Sequence, residues 1–398
     1  MHAIQLLHKH LKNTCPFIHS KRLDSLMCAT RTLSEHQRLS ITELGRALQS
    51  QTSVKHNIKR IDRLIGNVWL RSERESIYQS ISHWLLRHQC HPLIIVDWSD
   101  LTASRSQLLL RAGVPMGGRS LTLYEEVHPV SAYGHRSVYR KFLNRLSHIL
   151  PSPVVPIIVT DAGFRATWFA DIEALGWHWV GRVRNRDFVR FDEYDEWRPS
   201  KTLYERATHR PKSLGQALLV RSNPLACQLF VYKKPKQGRI SKSAFGRRQH
   251  NARINKISER ERQPWLIATS LTLNTLTAKQ VMSIYGKRMQ IEEGFRDIKC
   301  ERYGLGLSSS MTHTLARLEI LLLIGALALF MLWLIGKTAY ANQYQFQYQS
   351  NTARHKQVLS VLFLGMLIMK RTPQLIGYGD VKRTMRKTPL LIQQEHFS

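Results

Sequence analysis

HPLIIVDWSD, residues 91–100, is a buried-type apolar run that leads to an acid at Asp97. VVPIIVTDAGF, residues 154–164, repeats the arrangement and leads to Asp161. Between them QLLLRAGVPMGGRSLTLYEEV (107–127) sets two apolar runs around Gly117-Gly118, which reads as a pair of antiparallel strands. KFLNRLSHIL (141–150) has a helical pattern, and FRATWFADIEALG (164–176) reads as a helix ending at Gly176. Strand, hairpin, helix, strand, helix is the order of an α/β domain with an RNase H-like core. In such a core the first and fourth strands are neighbours, so Asp97 is expected to end beside Asp161. Either aspartate alone is as readily a turn or cap residue.

The last strand and helix of such a core are delayed. WHWVGRVRNRDFVRFD (177–192) and QALLVRSNPLACQLFVYKK (216–234) read as β segments, the second pair joined by a turn at Ser222-Asn223-Pro224. Residues 233–262 then carry eleven Lys or Arg against Glu259 and Glu261, the composition of a mobile basic loop that orders on a polyanion. PWLIATSL (264–271) restores the sheet. The expected organisation is an N-terminal helical DNA-binding region (1–90), a first core segment (91–175), an inserted β-rich subdomain with the basic loop (176–264), a second core segment (265–345) and a C-terminal helical region (346–398).

TAKQVMSIYGKRMQIEEGFRDIK (277–299) is expected to form one helix. At about 100° per residue, Tyr285, Arg288, Glu292 and Lys299 fall within an arc of roughly 60°. A phenol, two cations and a carboxylate then face one partner, which suits a phosphate backbone beside a metal ion. An exposed helix face with an Arg–Glu pair four residues apart is the plain alternative. With Asp97 and Asp161 the carboxylate of Glu292 completes a trio of hard oxygen donors, the set needed to hold two Mg²⁺ ions about 3.5–4 Å apart around a scissile phosphate. Mn²⁺ is able to substitute. Asp97, Asp161 and Glu292 are therefore the candidate catalytic and metal-binding residues.

With these residues the chain resembles the D-D-E cut-and-paste transposases of bacterial insertion sequences, in the subgroup named for its YREK signature. The match is complete at Tyr285, Arg288, Glu292 and Lys299, and the first two acids fall in VDWSD and TDAGF. The likeness runs from about residue 20 to about residue 370 and departs mainly in the basic stretch after 233. It implies binding of transposon ends and target DNA, a homodimer in the synaptic complex, and a free 3′-hydroxyl that forms a hairpin before joining. It further implies that Tyr285, Arg288 and Lys299 hold terminal phosphates and that Trp265 stacks a flipped base. On the residues alone, Trp265 is equally a core tryptophan. A nuclease or junction resolvase of the same fold, or a DNA-binding protein without catalysis, shares part of the pattern.

The charge agrees with a nucleic-acid partner. There are 59 Lys and Arg against 28 Asp and Glu, a formal charge of +31 spread over the whole length. Near the N-terminus Ser40-x-x-Glu43 is a capping box, and VKHNIKRIDRLIGNVW (54–69) has an apolar stripe of Ile58, Ile61, Leu64 and Ile65. Lys55, Lys59, Arg60 and Arg63 lie opposite, placed to track phosphates as in a helix-turn-helix or to form a solvated basic face.

Five cysteines, odd in number and without C-x-x-C spacing, imply a reducing cytoplasm and no disulfide framework, and the resemblance implies that this cytoplasm is bacterial and the protein nucleoid-associated. ILLLIGALALFMLWLIG (320–336) is uncharged over a length borderline for a membrane span, but a helix at the centre of an α/β domain gives the same signal and is the expectation. YGLGL lacks the remaining glycines of a nucleotide loop, so no nucleotide cofactor is expected. Ser99 lacks the glycines of a nucleophile elbow, which excludes that hydrolase chemistry.

Overall fold

The computed structural model describes residues 2–101, 105–184, 187–191, 196–235, 263–353 and 355–396. The chain folds as two compact units, Met1–Val154 with Met289–Ser398, and Val155–Arg288. Most of the basic stretch 233–262 lies outside the described residues.

In the first unit β1 (Leu93–Asp100), β2 (Gln107–Met116) and β3 (Arg119–Pro129) form an antiparallel meander in the order β3-β2-β1. The β2–β3 turn is Gly117-Gly118, with φ of 57° and 80°. Two consecutive left-handed residues match the twist of the strands, and glycine reaches that region without a Cβ penalty. Every residue of β2 is buried, as for a strand covered on both faces. Asp97 lies inside β1 rather than after its end: the ladder runs on from Asp97↔Arg111 to Asp100↔Leu108, because β2 offers backbone partners beyond the apolar run.

Around this meander the unit packs α1 (His2–Thr14), α2 (Ser20–His36), α3 (Ile41–Ala47), α4 (Val54–Ile65), α5 (Val68–Leu86) and α6 (Arg136–Ile149). The chain returns to it after residue 288 with α9 (Met289–Lys299), α10 (Leu315–Ala341), α11 (Val361–Arg371) and α12 (Tyr378–His396). The N- and C-terminal regions are thus parts of one unit with β1–β3. By length and composition α10 could cross a membrane, yet 94% of its apolar window is buried, against α2, α5, α11, α12 and β3. It is the core helix. A Cβ added at Gly365 would stand 1.9 Å from the Leu332 carbonyl oxygen, and one at Gly336 1.8 Å from that of Val361. These two glycines let the backbones of α10 and α11 touch.

The second unit holds β4 (Ile157–Thr160), α7 (Ala166–Glu173), β5 (His178–Val183), β6 (Phe188–Phe191), β7 (Arg198–Pro199), β8 (Lys212–Leu219), β9 (Leu225–Tyr232), β10 (Trp265–Thr269) and α8 (Ala278–Gly286). Its strands run in the order β4-β5-β10-β9-β8-β6-β7. β5 pairs parallel to β4, with Ile157 opposite His178, and antiparallel to β10. WHWVGRV, the first β segment of the expected 176–264 subdomain, thus pairs beside β4 in the same sheet as the strand that follows α7. The chain between Val183 and Trp265 adds its β strands to this sheet through β9 on β10. An apolar strand looks alike from sequence whether it belongs to a core or to an insert, and only the pairing separates them.

Candidate active site

Asp97 is half-buried in β1, and its Oδ1 accepts a hydrogen bond from the Trp98 amide at 2.8 Å. Asp97 stands opposite Arg111 of β2, and Arg111 opposite Glu125 of β3, so the three form one row across the meander. Helix α9 packs on these same strands. Its buried stripe is Ile291, Phe295 and Ile298 at helical spacing, and the Phe295 ring lies 5.1 Å from the Arg111 guanidinium carbon. Gln290 Oε1 accepts from the Met116 amide at 2.9 Å, which ties the first turn to the end of β2.

Glu292 is exposed on the first turn of α9. Glu293 is engaged within the unit by Arg119 at 3.8 Å and Arg296 at 3.4 Å. Asp297 is buried against Arg119 at 2.6 Å, and burial pushes its carboxyl up to about 6 although Arg119 pulls it down. At the last turn, Lys299 Nζ donates to Ser99 Oγ at 2.8 Å and to the Asp100 carbonyl at 3.0 Å. Burial lowers the Lys299 pKa, opposed by Asp100.

The four signature residues do not share one helix. α8 ends at Gly286, the Arg288 amide bonds only three residues back to the Tyr285 carbonyl, and α9 begins at Met289. That tightened turn breaks the regular α ladder, with a glycine of low helix propensity at its edge. Tyr285 and Arg288 belong to the second unit, Glu292 and Lys299 to the first. The unbroken helix from which an arc of roughly 60° is expected is therefore not formed, while Glu292 and Lys299 share one side of α9.

In the second unit Asp161 directly follows β4, half-buried, and its Oδ1 accepts from the Gly163 amide at 2.7 Å in an Asx-type turn. Tyr285 is buried, only 4% exposed, with Trp265 edge-on at 4.9 Å between centroids. Burial raises the Tyr285 pKa; Arg288, Arg182 and Arg184 oppose the rise and Asp161 adds to it. The half-buried Trp265 also has the Lys234 ammonium 4.8 Å from its ring centre. The cations around Tyr285 thus include Arg182 and Arg184, which the sequence reading passed over. Their signal was R-x-R at the end of a strand, a spacing that places both on one face. A lone arginine in QLLLRAGV was likewise a signal for Arg111.

On α4 the four cations Lys55, Lys59, Arg60 and Arg63 are all exposed, while Ile61, Leu64 and Ile65 are buried and Ile58 is half-buried. Lys59 pairs with Asp62 at 2.9 Å, and Asp62 also binds Arg317 of α10 at 2.5 Å. Ser40 caps α3 by accepting from the Glu43 amide at 3.2 Å. A Cβ on Gly45 of α3 would stand 2.5 Å from the Ile58 Cα, so the two helices cross in close contact.

Among the described residues no three His, Cys, Asp or Glu side chains are gathered closely enough to hold a metal ion. Asp97 and Glu292 belong to the first unit, on a strand and a helix that pack together, and Asp161 belongs to the second.

The family described as transposase DDE domain matches residues 88–331, a stretch that contains Asp97, Asp161, Trp265 and the whole Tyr285–Lys299 signature. Among solved structures, the chain is similar to piggyBac transposase in the cryo-EM structure of its synaptic complex with hairpin DNA. The identity is 11%, the TM-score 0.41, and the likeness covers 94% of this chain and 76% of that one. No curated protein matches the chain significantly.

Proposed function

The chain belongs to the transposase DDE domain family, enzymes that cut and join DNA, and on that premise we propose that it is a cut-and-paste transposase of the YREK-signature subgroup (insertion-sequence family four). Within that subgroup its likeness is to the transposase of the tetracycline-resistance composite transposon. The observation that carries the proposal is the matched stretch itself. It contains an aspartate within a strand, a second directly after one, and a helical glutamate with a complete Tyr-Arg-Glu-Lys spacing.

DDE transposase domains depend on divalent metal. Asp97, Asp161 and Glu292 are hard oxygen donors, a set that suits Mg²⁺ or Mn²⁺ and not a thiophilic ion. Their joint role rests on the sequence pattern, supported by the exposure of Glu292 and by the packing of its helix on the strand of Asp97. When bound, the ions supply activation of the attacking oxygen and stabilisation of the leaving one.

The protein's own groups position the DNA. Arg288 and Lys299 bring cations for the terminal phosphates. Tyr285, being buried, acts through its hydroxyl among Arg182, Arg184 and Arg288 rather than by lying on the DNA. Trp265 offers a ring face to a flipped base, and Lys55, Lys59, Arg60 and Arg63 grip the duplex of the terminal inverted repeats. First-strand cleavage, hairpin formation on the opposite strand, reopening and joining to target DNA then complete the reaction, in a homodimer holding two ends and without a nucleotide cofactor.

The test is cleavage of a plasmid segment flanked by the element's own inverted repeats, with Mg²⁺. Asp97→Ala, Asp161→Ala and Glu292→Ala are each expected to abolish strand cleavage with end binding intact, while Glu293→Ala keeps most activity. An active Glu292→Ala beside an inactive Glu293→Ala would overturn the assignment of the helical acid.

A further inference from the structure

Arg111 and Glu125 form a deeply buried ion pair in the first unit, their side chains 1% and 0% exposed. A buried pair loses much of its Coulombic gain to desolvation, and apolar residues of similar size often serve stability as well. Its place in the sheet supplies a reason for it. Arg111 stands directly between two carboxylates, Asp97 on one neighbouring strand and Glu125 on the other. Residues directly opposite in antiparallel strands point to the same face with Cβ atoms roughly 4.5–5.5 Å apart. The guanidinium therefore has two carboxylate neighbours at similar range and is turned to one of them.

That one is Glu125. Its Oε2 accepts from Arg111 Nε at 2.7 Å and lies 2.6 Å from Nη2 as an ion-pair contact, Nη2 itself having no hydrogen-bond partner among the described residues. The remaining oxygen, Oε1, accepts the Tyr78 hydroxyl at 2.9 Å, and Arg74 donates to the Glu125 carbonyl at 2.7 Å. Burial and the adjacent Glu125 carboxylate hold the Tyr78 hydroxyl well above its usual range, so it remains a donor. From the other side Phe295 of α9 closes over the guanidinium at 5.1 Å. Gly294 is packed so tightly on β3 that a Cβ there would come within 2.8 Å of Ser120 Oγ. Arg111 is thus clamped between β3 and the helix of Glu292.

We propose that Glu125 is a positioning residue: by holding the Arg111 guanidinium turned toward β3, it keeps that cation from neutralising Asp97 and so preserves the affinity of the Asp97 carboxylate for a divalent ion. This rests on the assignment of Asp97 as a metal ligand. With Glu125 neutral, Asp97 becomes the remaining carboxylate neighbour in the row, and Arg111 competes with the metal for it. Outer groups that orient ligands in this way are commonly worth 10–100-fold in metal affinity.

The experiment is Mn²⁺ binding to the full-length protein without DNA, followed by loss of the free-ion electron paramagnetic resonance signal, with cleavage measured alongside. Glu125→Gln is expected to weaken Mn²⁺ binding by about tenfold or more. The divalent concentration for half-maximal cleavage should rise in step, while the maximal rate changes little. Arg111→Met/Glu125→Gln, which removes the released cation and leaves no unpaired buried charge, should restore binding to near the wild-type level. Unchanged binding in Glu125→Gln, or a double variant as weak as the single one, would overturn the proposal. Asp97→Asn separates the layers. Unchanged binding in Asp97→Asn removes the ligand assignment and the proposal with it, whereas weakened binding there with no effect of Glu125→Gln removes the proposal alone.

Discussion

The Lys299 ammonium donates to the Ser99 hydroxyl at 2.8 Å, which fastens the last turn of α9 to the strand that carries Asp97. A second bond to the Asp100 carbonyl at 3.0 Å completes the attachment. Lys299 therefore has a task inside the unit as well as the phosphate contact its signature implies. Lys299→Met keeps the apolar stem and removes the donors. Hydrogen bonds from a charged group contribute about 1.5–3 kcal/mol when buried, and this half-exposed one contributes less. The variant is expected to lose about 2–4 °C of melting temperature, to cleave at least tenfold more slowly and to bind end DNA more weakly, with a logarithmic salt slope smaller by about one for the phosphate contact removed. An unchanged melting temperature with weakened DNA binding would make Lys299 a phosphate contact alone.

The N-terminal cations give a prediction about salt. Residues 1–90 belong to a unit that includes β1–β3 and the C-terminal helices, so the test uses the full chain. Lys55, Arg60 and Arg63 are exposed on α4, and Lys59 is partly committed to Asp62 at 2.9 Å. Each cation that meets a phosphate releases condensed counterions and steepens the salt dependence by about one unit of slope. Lys55→Ala/Arg60→Ala/Arg63→Ala should therefore bind end DNA more weakly and with a logarithmic salt slope smaller by about two to three, at an unchanged melting temperature. An unaltered slope would leave α4 as a solvated basic face.

The parts of the fold legible in the sequence were those that local chemistry fixes. Gly117-Gly118 between apolar runs specifies a two-residue hairpin, and the run to Asp161 ends where a turn residue must follow the strand. Tertiary context decided the rest. SIYG and MQIEEGF both carry helical patterns, and nothing local says that the ladder tightens at Lys287 and Arg288. β1 runs past its apolar stretch because β2 is there to pair with it, which placed Asp97 within the strand. The Asp97–Arg111–Glu125 row depends on the register of three strands, and its members are separated by fourteen residues each in a sequence whose spacing alone carries no pairing.

Helix α10 separates a core from a membrane assignment. Leu332 is fully buried, and Gly365 packs against its carbonyl oxygen. Leu329 is only half-buried and makes a weaker probe. Leu332→Arg places an unpaired charge in the core, a change that costs several kcal/mol and should yield aggregated or degraded protein. Gly365→Ala is the milder companion: overpacking typically costs about 1–3 kcal/mol, and backbone contact this close gives little room to relax. It should fold with a clearly lowered melting temperature. Wild-type protein recovered from cells only with detergent would contradict the core assignment.

Trp265 stands where two functions would leave different traces. It is half-buried at the start of β10, edge-on to Tyr285 at 4.9 Å and to Tyr232 at 6.1 Å, with the Lys234 ammonium 4.8 Å from its ring centre. Aromatic pairs of this kind add about 0.5–1.5 kcal/mol beyond burial, so Trp265→Ala lowers stability somewhat under either role. A ring that also receives a flipped base offsets an unstacking cost of a few kcal/mol at the step where the transposon end must distort, which is hairpin formation and not the first nick. The expected result with Mg²⁺ is therefore near-normal nicking, accumulation of nicked DNA and a loss of hairpin on denaturing gels, with a modest fall in melting temperature. Trp265→Phe, which keeps an aromatic face, should recover much of the hairpin. Parallel loss of nick, hairpin and double-strand break with a large fall in melting temperature would assign Trp265 to the core of the second unit instead.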